Sequence, residues 1–138
     1  MITEKNIQEL VLPDNNKVQN LFPESFILYK PKSVVSGDFY WMRKVGSSLI
    51  CAVTDCTGHG VPGAFMSLLG FNMLENVVKK NKIIQPSKIL DALNQEVVTR
   101  LAHSEEIDDI KHGMDTAVIS IDTLTDELQY SGAHNPIY

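Results

Sequence analysis

Apolar residues recur along this chain with two different periods, and the switches between the two mark its elements. Ile7, Leu10 and Val11 stand at i, i+3 and i+4 ahead of Pro13, which predicts a short amphipathic helix, the last turns of a longer linker helix. Phe26-Ile27-Leu28-Tyr29 is a compact apolar and aromatic run closed by Pro31, a pattern suited to a buried strand. Phe39 to Val45 and Leu49 to Thr54 are β-prone runs separated by Gly46-Ser47-Ser48, the length and composition of a tight hairpin.

Helical spacing then takes over. Pro62 to Lys80 carries Phe65, Leu68, Leu69, Met73, Leu74, Val77 and Val78, apolar around much of its circumference, and so predicts a mostly buried helix. Ser87 is placed to cap a second helix whose stripe is Ile89, Leu90, Leu93, Val97 and Leu101. A polar loop is expected from His103 to Lys111. Period two returns in Thr116 to Asp122 and Glu127 to Ser131, a second hairpin around Leu124-Thr125-Asp126. Antiparallel hairpin sheets with two central buried helices make the fold class α+β. Ile137-Tyr138 follows the Gly132-Ala133-His134-Asn135-Pro136 turn as a new strand begins, so the domain is expected to be cut short on its C-terminal side.

Composition narrows the function. Twelve basic against seventeen acidic residues leave a net charge of −5, which opposes the phosphate-backbone attraction that nucleic-acid binding needs. No apolar run approaches the roughly 20 residues that cross a bilayer, and no secretory leader precedes Asn6, so a cytoplasmic location is expected. Cys51 and Cys56 are the only cysteines and are expected to be reduced thiols.

The chemistry concentrates where strand gives way to helix, at Thr54-Asp55-Cys56-Thr57-Gly58-His59-Gly60. Gly58 and Gly60 allow positive φ there. Asp38, in Ser36-Gly37-Asp38, opens the strand expected to pair with the one ending near Asp55, so the hairpin brings both carboxylates to one end. At about 5 Å and an effective dielectric of roughly 20 they would repel by about 3 kcal/mol, a repulsion that a divalent cation turns into binding. Oxygen donors of this kind suit Mg²⁺ or Mn²⁺. Spacing alone leaves open the plainer reading, in which Asp38 is a turn residue and Asp55 a helix-approach cap. His59 reads as a residue that organises the loop and caps the helix approach, with general acid as its alternative role. The Cys56-Thr57-Gly58-His59 spacing lacks the second cysteine pair that a zinc site requires. No arginine cluster flanks Cys56, as a cysteine phosphatase would need.

Val34-Val35-Ser36-Gly37-Asp38-Phe39-Tyr40-Trp41 and Asp55-Cys56-Thr57-Gly58-His59-Gly60-Val61-Pro62-Gly63-Ala64 together resemble the SpoIIE/RsbU-type serine phosphatases of the metal-dependent type-2C superfamily. The resemblance continues through Gly113-Met114-Asp115-Thr116-Ala117 and Gly132-Ala133-His134-Asn135-Pro136. It implies a partial α-β-β-α phosphatase sandwich over residues 21–138, with residues 1–20 as linker helix and connector from an N-terminal sensor region. It implies that Asp38, Asp55 and the backbone carbonyl of Cys56 bind a centre of two Mn²⁺ or Mg²⁺ ions, with Gly37, Gly58 and Gly60 shaping the loops. The implied activity is hydrolysis of phosphoserine or phosphothreonine on a phosphorylated protein such as an anti-sigma-factor antagonist, by water rather than a protein nucleophile. The pattern departs from the family in two respects. The later Thr-Asp-Gly and Asp-Asp ligand motifs are missing, so this stretch alone is expected to hold ions weakly. His112 stands before Gly113-Met114-Asp115 where relatives often carry an acid, which leaves the role of Asp115 open. The competing expectation is a non-catalytic interaction module on the same fold.

Overall fold

A computed structural model of the chain describes residues 3–101 and 113–137. The helix read before Pro13 is α1 (Glu4–Val11), started by a reciprocal capping box. Thr3 Oγ1 accepts from the Asn6 N–H, and the Asn6 side chain accepts from the Thr3 N–H. These bonds satisfy two of the amide groups that a helix start leaves free. Its inward face differs from the expected stripe. Gln8 is the buried residue, whereas Leu10 is 81% exposed. A second short helix, α2 (Asn15–Leu21), follows under an Asp14 cap, its Oδ1 accepting from the Lys17 N–H at 2.8 Å.

The strand expected at Phe26–Tyr29 does not form. Those residues run without regular hydrogen bonding, with Phe26 and Leu28 largely exposed. A β-prone sequence becomes a strand only beside another edge, and no described strand lies alongside this one.

The sheet contains β1 (Phe39–Val45), β2 (Ser48–Cys56), β3 (Met114–Asp122) and β4 (Leu128–Ala133), antiparallel throughout in the order β1-β2-β3-β4. The first hairpin is tighter than expected, because Ser48 joins the ladder opposite Val45 and leaves only Gly46-Ser47 as the turn. Gly46 has φ +59°, the left-handed conformation a two-residue turn of this kind demands.

Between β2 and β3 the chain crosses one face of the sheet as α3 (Gly60–Leu74) and α4 (Pro86–Leu101). The expected single helix to Lys80 changes character at Glu75, where Glu75–Lys80 widens into a π-helical segment. The widening begins at the residue whose carboxylate accepts from Trp41 Nε1 at 2.8 Å and pairs with Arg43, so it coincides with the polar tie between helix and sheet. α4 begins one residue before the expected cap, with Pro86 in the first helical position, where its missing N–H costs nothing; Ser87 lies inside the first turn. The expected loop from His103 to Lys111, His112 and the side chain of Leu101 lie outside the described residues.

Strand alternation explains the core. Trp41, Ile50, Ala52 and Val118 point to the helix side, where they are buried with Met73, Leu74, Val77, Val78, Ile89 and Leu93. Each large apolar side chain buried in this way contributes roughly 1.5–3 kcal/mol. A buried hydrogen bond between Thr54 Oγ1 and Thr116 Oγ1, 3.2 Å long, satisfies the two hydroxyls on this face just before the strands reach the site. Among the described residues no helix is long and apolar enough to cross a membrane.

Candidate metal centre

The register of the first hairpin decides the site. Phe39 faces Thr54 across the ladder, so Asp38 and Asp55 occupy the next positions, where β1 begins and β2 ends. Their side chains interact directly. The carboxyl of Asp55 is pushed above its ordinary range by partial burial first, then by a hydrogen bond to Asp38 and by repulsion from its charge. Two carboxyls thus lie close enough to oppose each other's charge when no cation is present. Beyond Asp55 the ladder places Asp115 of β3 directly across. Among the described residues no three His, Cys, Asp or Glu side chains converge closely enough to hold an ion.

The backbone supplies what side chains do not. A Cβ built on Gly37 would lie 2.8 Å from the Cys56 carbonyl oxygen and 2.9 Å from that of Gly58, so only glycine permits this contact. The Cys56 carbonyl is thereby held beside the residue preceding Asp38. Gly63, in the first turn of α3, presses from the other side, its added Cβ falling 2.8 Å from the Gly58 carbonyl oxygen. Gly58 has φ +100° and Gly60 φ +63°, which gives the loop the sharp path its motif suggests. Thr57 fastens that path to the start of β3: its N–H donates to the Gly113 carbonyl at 3.0 Å and its Oγ1 accepts from the Gly113 N–H at 3.0 Å.

Two carboxylates and a carbonyl are hard oxygen donors, fit for Mg²⁺ or Mn²⁺ with waters completing the shell. Thiol chemistry is disfavoured. Burial, then the charges of Asp55 and Asp38, push the Cys56 thiol up to about 12, and burial takes Cys51 to about 11, so both stay protonated at neutral pH. His59 takes the N-cap position of α3, but its side chain makes no capping hydrogen bond, contrary to the capping role expected of it. Its imidazole is exposed beside the site.

Sequence reading missed the supports of the Asp38 turn. Tyr29 Oη donates to the Asp38 carbonyl at 3.0 Å, Ser36 Oγ accepts from the Asp38 N–H at 3.0 Å, and the Gln8 amide holds Ser36. The one available signal was a glutamine set beside Ile7 within an amphipathic helix.

Residues 46–138 match the family model of Stage II sporulation protein E (SpoIIE). No curated protein sequence is significantly similar to the chain. Among solved structures, the SiaA-PP2C domain of Pseudomonas aeruginosa superposes with a TM-score of 0.82 at 32% identity, over 94% of this chain and 50% of that one. A structure of the RsbU and RsbW domains from Mycobacterium tuberculosis gives a TM-score of 0.54 at 24% identity, over 74% of this chain and 26% of that one, a likeness of fold alone. The chain therefore spans half the length of the first structure it matches.

Proposed function

Because this chain belongs to the SpoIIE family, we propose that it is part of a metal-dependent protein phosphatase domain acting on phosphoserine or phosphothreonine of a regulatory protein. A phosphorylated anti-sigma-factor antagonist is the substrate class that fits the family. Residues 21–138 contribute the first part of that domain, and residues 1–20 are the linker helix and connector to an N-terminal sensor region. The observation that carries this reading is the placement of Asp38 against Asp55, with the Cys56 carbonyl held alongside through Gly37.

Asp38 and Asp55 would hold Mn²⁺ or Mg²⁺, with the Cys56 carbonyl as a further donor. When bound, such ions neutralise charge on the phosphoryl oxygens and lower the pKa of the attacking water. The chain's own residues keep the donors in place: Gly37, Gly58 and Gly60 set the loop paths, and Thr57 ties the Asp55 loop to β3. His59, exposed at the start of α3, is the candidate general acid in this reading.

The test is release of inorganic phosphate from a phosphoserine protein by the full-length protein with Mn²⁺. Release should stop with EDTA and with either Asp38→Asn or Asp55→Asn. Release that ignores both substitutions would overturn the reading. Binding of the phosphoprotein without any release would identify the interaction module instead.

A further inference from the structure

We propose that Gln8, on α1 and outside the donor set, is a positioning residue of the metal centre, fixing the Ser36–Asp38 turn so that Asp38 meets Asp55. This rests on the metal-dependent reading above and adds a residue to it.

Gln8 is 5% exposed, an unusual setting for a long polar side chain on a helix with an apolar alternative at hand. Its amide is fully engaged. Nε2 donates to the Ser36 carbonyl at 2.6 Å and to Ser67 Oγ at 2.9 Å, and Oε1 accepts from the Ser36 N–H at 2.9 Å. A primary amide that both donates to and accepts from one residue's backbone acts as a neighbouring β-strand would, fixing that residue's orientation in space. Ser36 passes the constraint on, because its Oγ accepts from the Asp38 N–H at 3.0 Å. Ser67 anchors the other end in α3, its hydroxyl donating to the Ala64 carbonyl at 2.8 Å.

One buried polar network therefore spans α1, the turn that carries Asp38, and the helix that follows the Asp55 loop. The apolar contact between α1 and α3 requires no amide, since Ile7, Val61, Phe65 and Leu68 line the neighbouring groove. The amide adds direction, and it is spent on the turn two residues from a metal-binding carboxylate. Tyr29 holds the far side of the same turn through the Asp38 carbonyl, so its path is determined from both flanks.

The experiment is Mn²⁺ calorimetry and Mn²⁺-dependent phosphate release on the full-length protein, comparing wild type with Gln8→Met, Ser67→Ala and Asp38→Asn, with thermal unfolding of each in EDTA. Gln8→Met keeps the volume and removes every hydrogen bond. The expected result is a loss of Mn²⁺ affinity of ~10–100-fold, the range typical of groups that orient metal ligands, with phosphate release recovering as Mn²⁺ is raised. Unfolding in EDTA that stays near wild type separates this from a merely loosened fold, which high Mn²⁺ would also rescue by mass action. Ser67→Ala, which takes away one of the three bonds to Gln8, is expected to give a smaller loss of the same sign, and it carries the test if Gln8→Met does not fold. Wild-type Mn²⁺ affinity in folded Gln8→Met, or in Ser67→Ala where that variant alone folds, overturns the inference while Asp38→Asn still abolishes binding. Binding that survives Asp38→Asn removes the metal reading itself, and this inference with it.

Discussion

The two ends of the β1–β2 hairpin are built on opposite terms. At the turn end, Gly46-Ser47 closes the chain with its positive φ, a Cβ on Gly46 would touch nothing within 4 Å, and the Ser47 carbonyl accepts from both the N–H and the hydroxyl of Thr123, each at 2.9 Å. At the other end, Gly37 is pressed against two carbonyl oxygens and two carboxyls are brought together, with Asp55 pushed up by burial first and then by Asp38. The first end satisfies its polar groups and asks only for a backbone conformation. The second holds like charges together, a cost that close backbone packing must sustain and that a cation would relieve. The turn and the proposed metal-binding end thus stand apart along a single hairpin.

Charge removal should give the largest difference between the ends. Asp38→Asn and Asp55→Asn are each expected to weaken Mn²⁺ binding by more than the ~10–100-fold typical of outer partners, as read by calorimetry, while leaving the metal-free protein as stable as wild type or more so in urea. Unchanged affinity in either variant would erase the distinction between the ends. The glycines sharpen it next. Gly37→Ala must displace backbone and should cost about 1–3 kcal/mol together with Mn²⁺ affinity. Gly46→Ala has room and bears only the strain of its left-handed backbone, about 1–2 kcal/mol, with metal binding untouched. Equal urea midpoints, with metal affinity intact in both, would show that the contact at Gly37 is slack.

Much of this architecture is legible in the chain, because period two and period 3.6 alternate cleanly and each hairpin carries its own turn residues. Asp38 and Asp55 were found together for that reason: a hairpin's register follows from its turn, and the turn is local. What escaped depends on contacts distant in sequence. Phe26 to Tyr29 reads as a strand on propensity, yet strand formation requires a partner edge that propensity does not encode. The π-helical segment begins where Glu75 meets Trp41 and Arg43, more than thirty residues away in β1. Gln8 stands outside the Ile7, Leu10 and Val11 stripe, and its partners Ser36 and Ser67 lie 28 and 59 residues along. At Gly63 only the closeness of the Gly58 carbonyl shows why a side chain is excluded. α2 was hidden by its asparagines, which favour turns, although Asp14 supplied an ordinary cap.

The smallest effect lies in the pH dependence of the metal-free protein, and its sign separates the two ends once more. The folded state raises the Asp55 carboxyl above its ordinary 3.8 through burial, its hydrogen bond to Asp38 and the Asp38 charge. A carboxyl with a raised folded pKa binds its proton more tightly when folded, so its cost is absent below 3.8 and sets in as pH climbs through the folded value. The difference in urea stability between Asp55→Asn and wild type should therefore grow as pH rises above 3.8 and level off once pH has passed the folded value. Solvent around the exposed pair keeps the effect modest. Asp38→Asn removes the Asp38 charge and should reduce the dependence while leaving the part due to burial, whereas Gly46→Ala should leave it as in wild type. Saturating Mn²⁺ reverses the sense, because the ion competes with the Asp55 proton and binds better as pH rises. A wild-type protein whose stability relative to Asp55→Asn does not change across this range would mean that the two carboxyls do not interact in solution, and the acid end of the hairpin would then be no more costly than its turn.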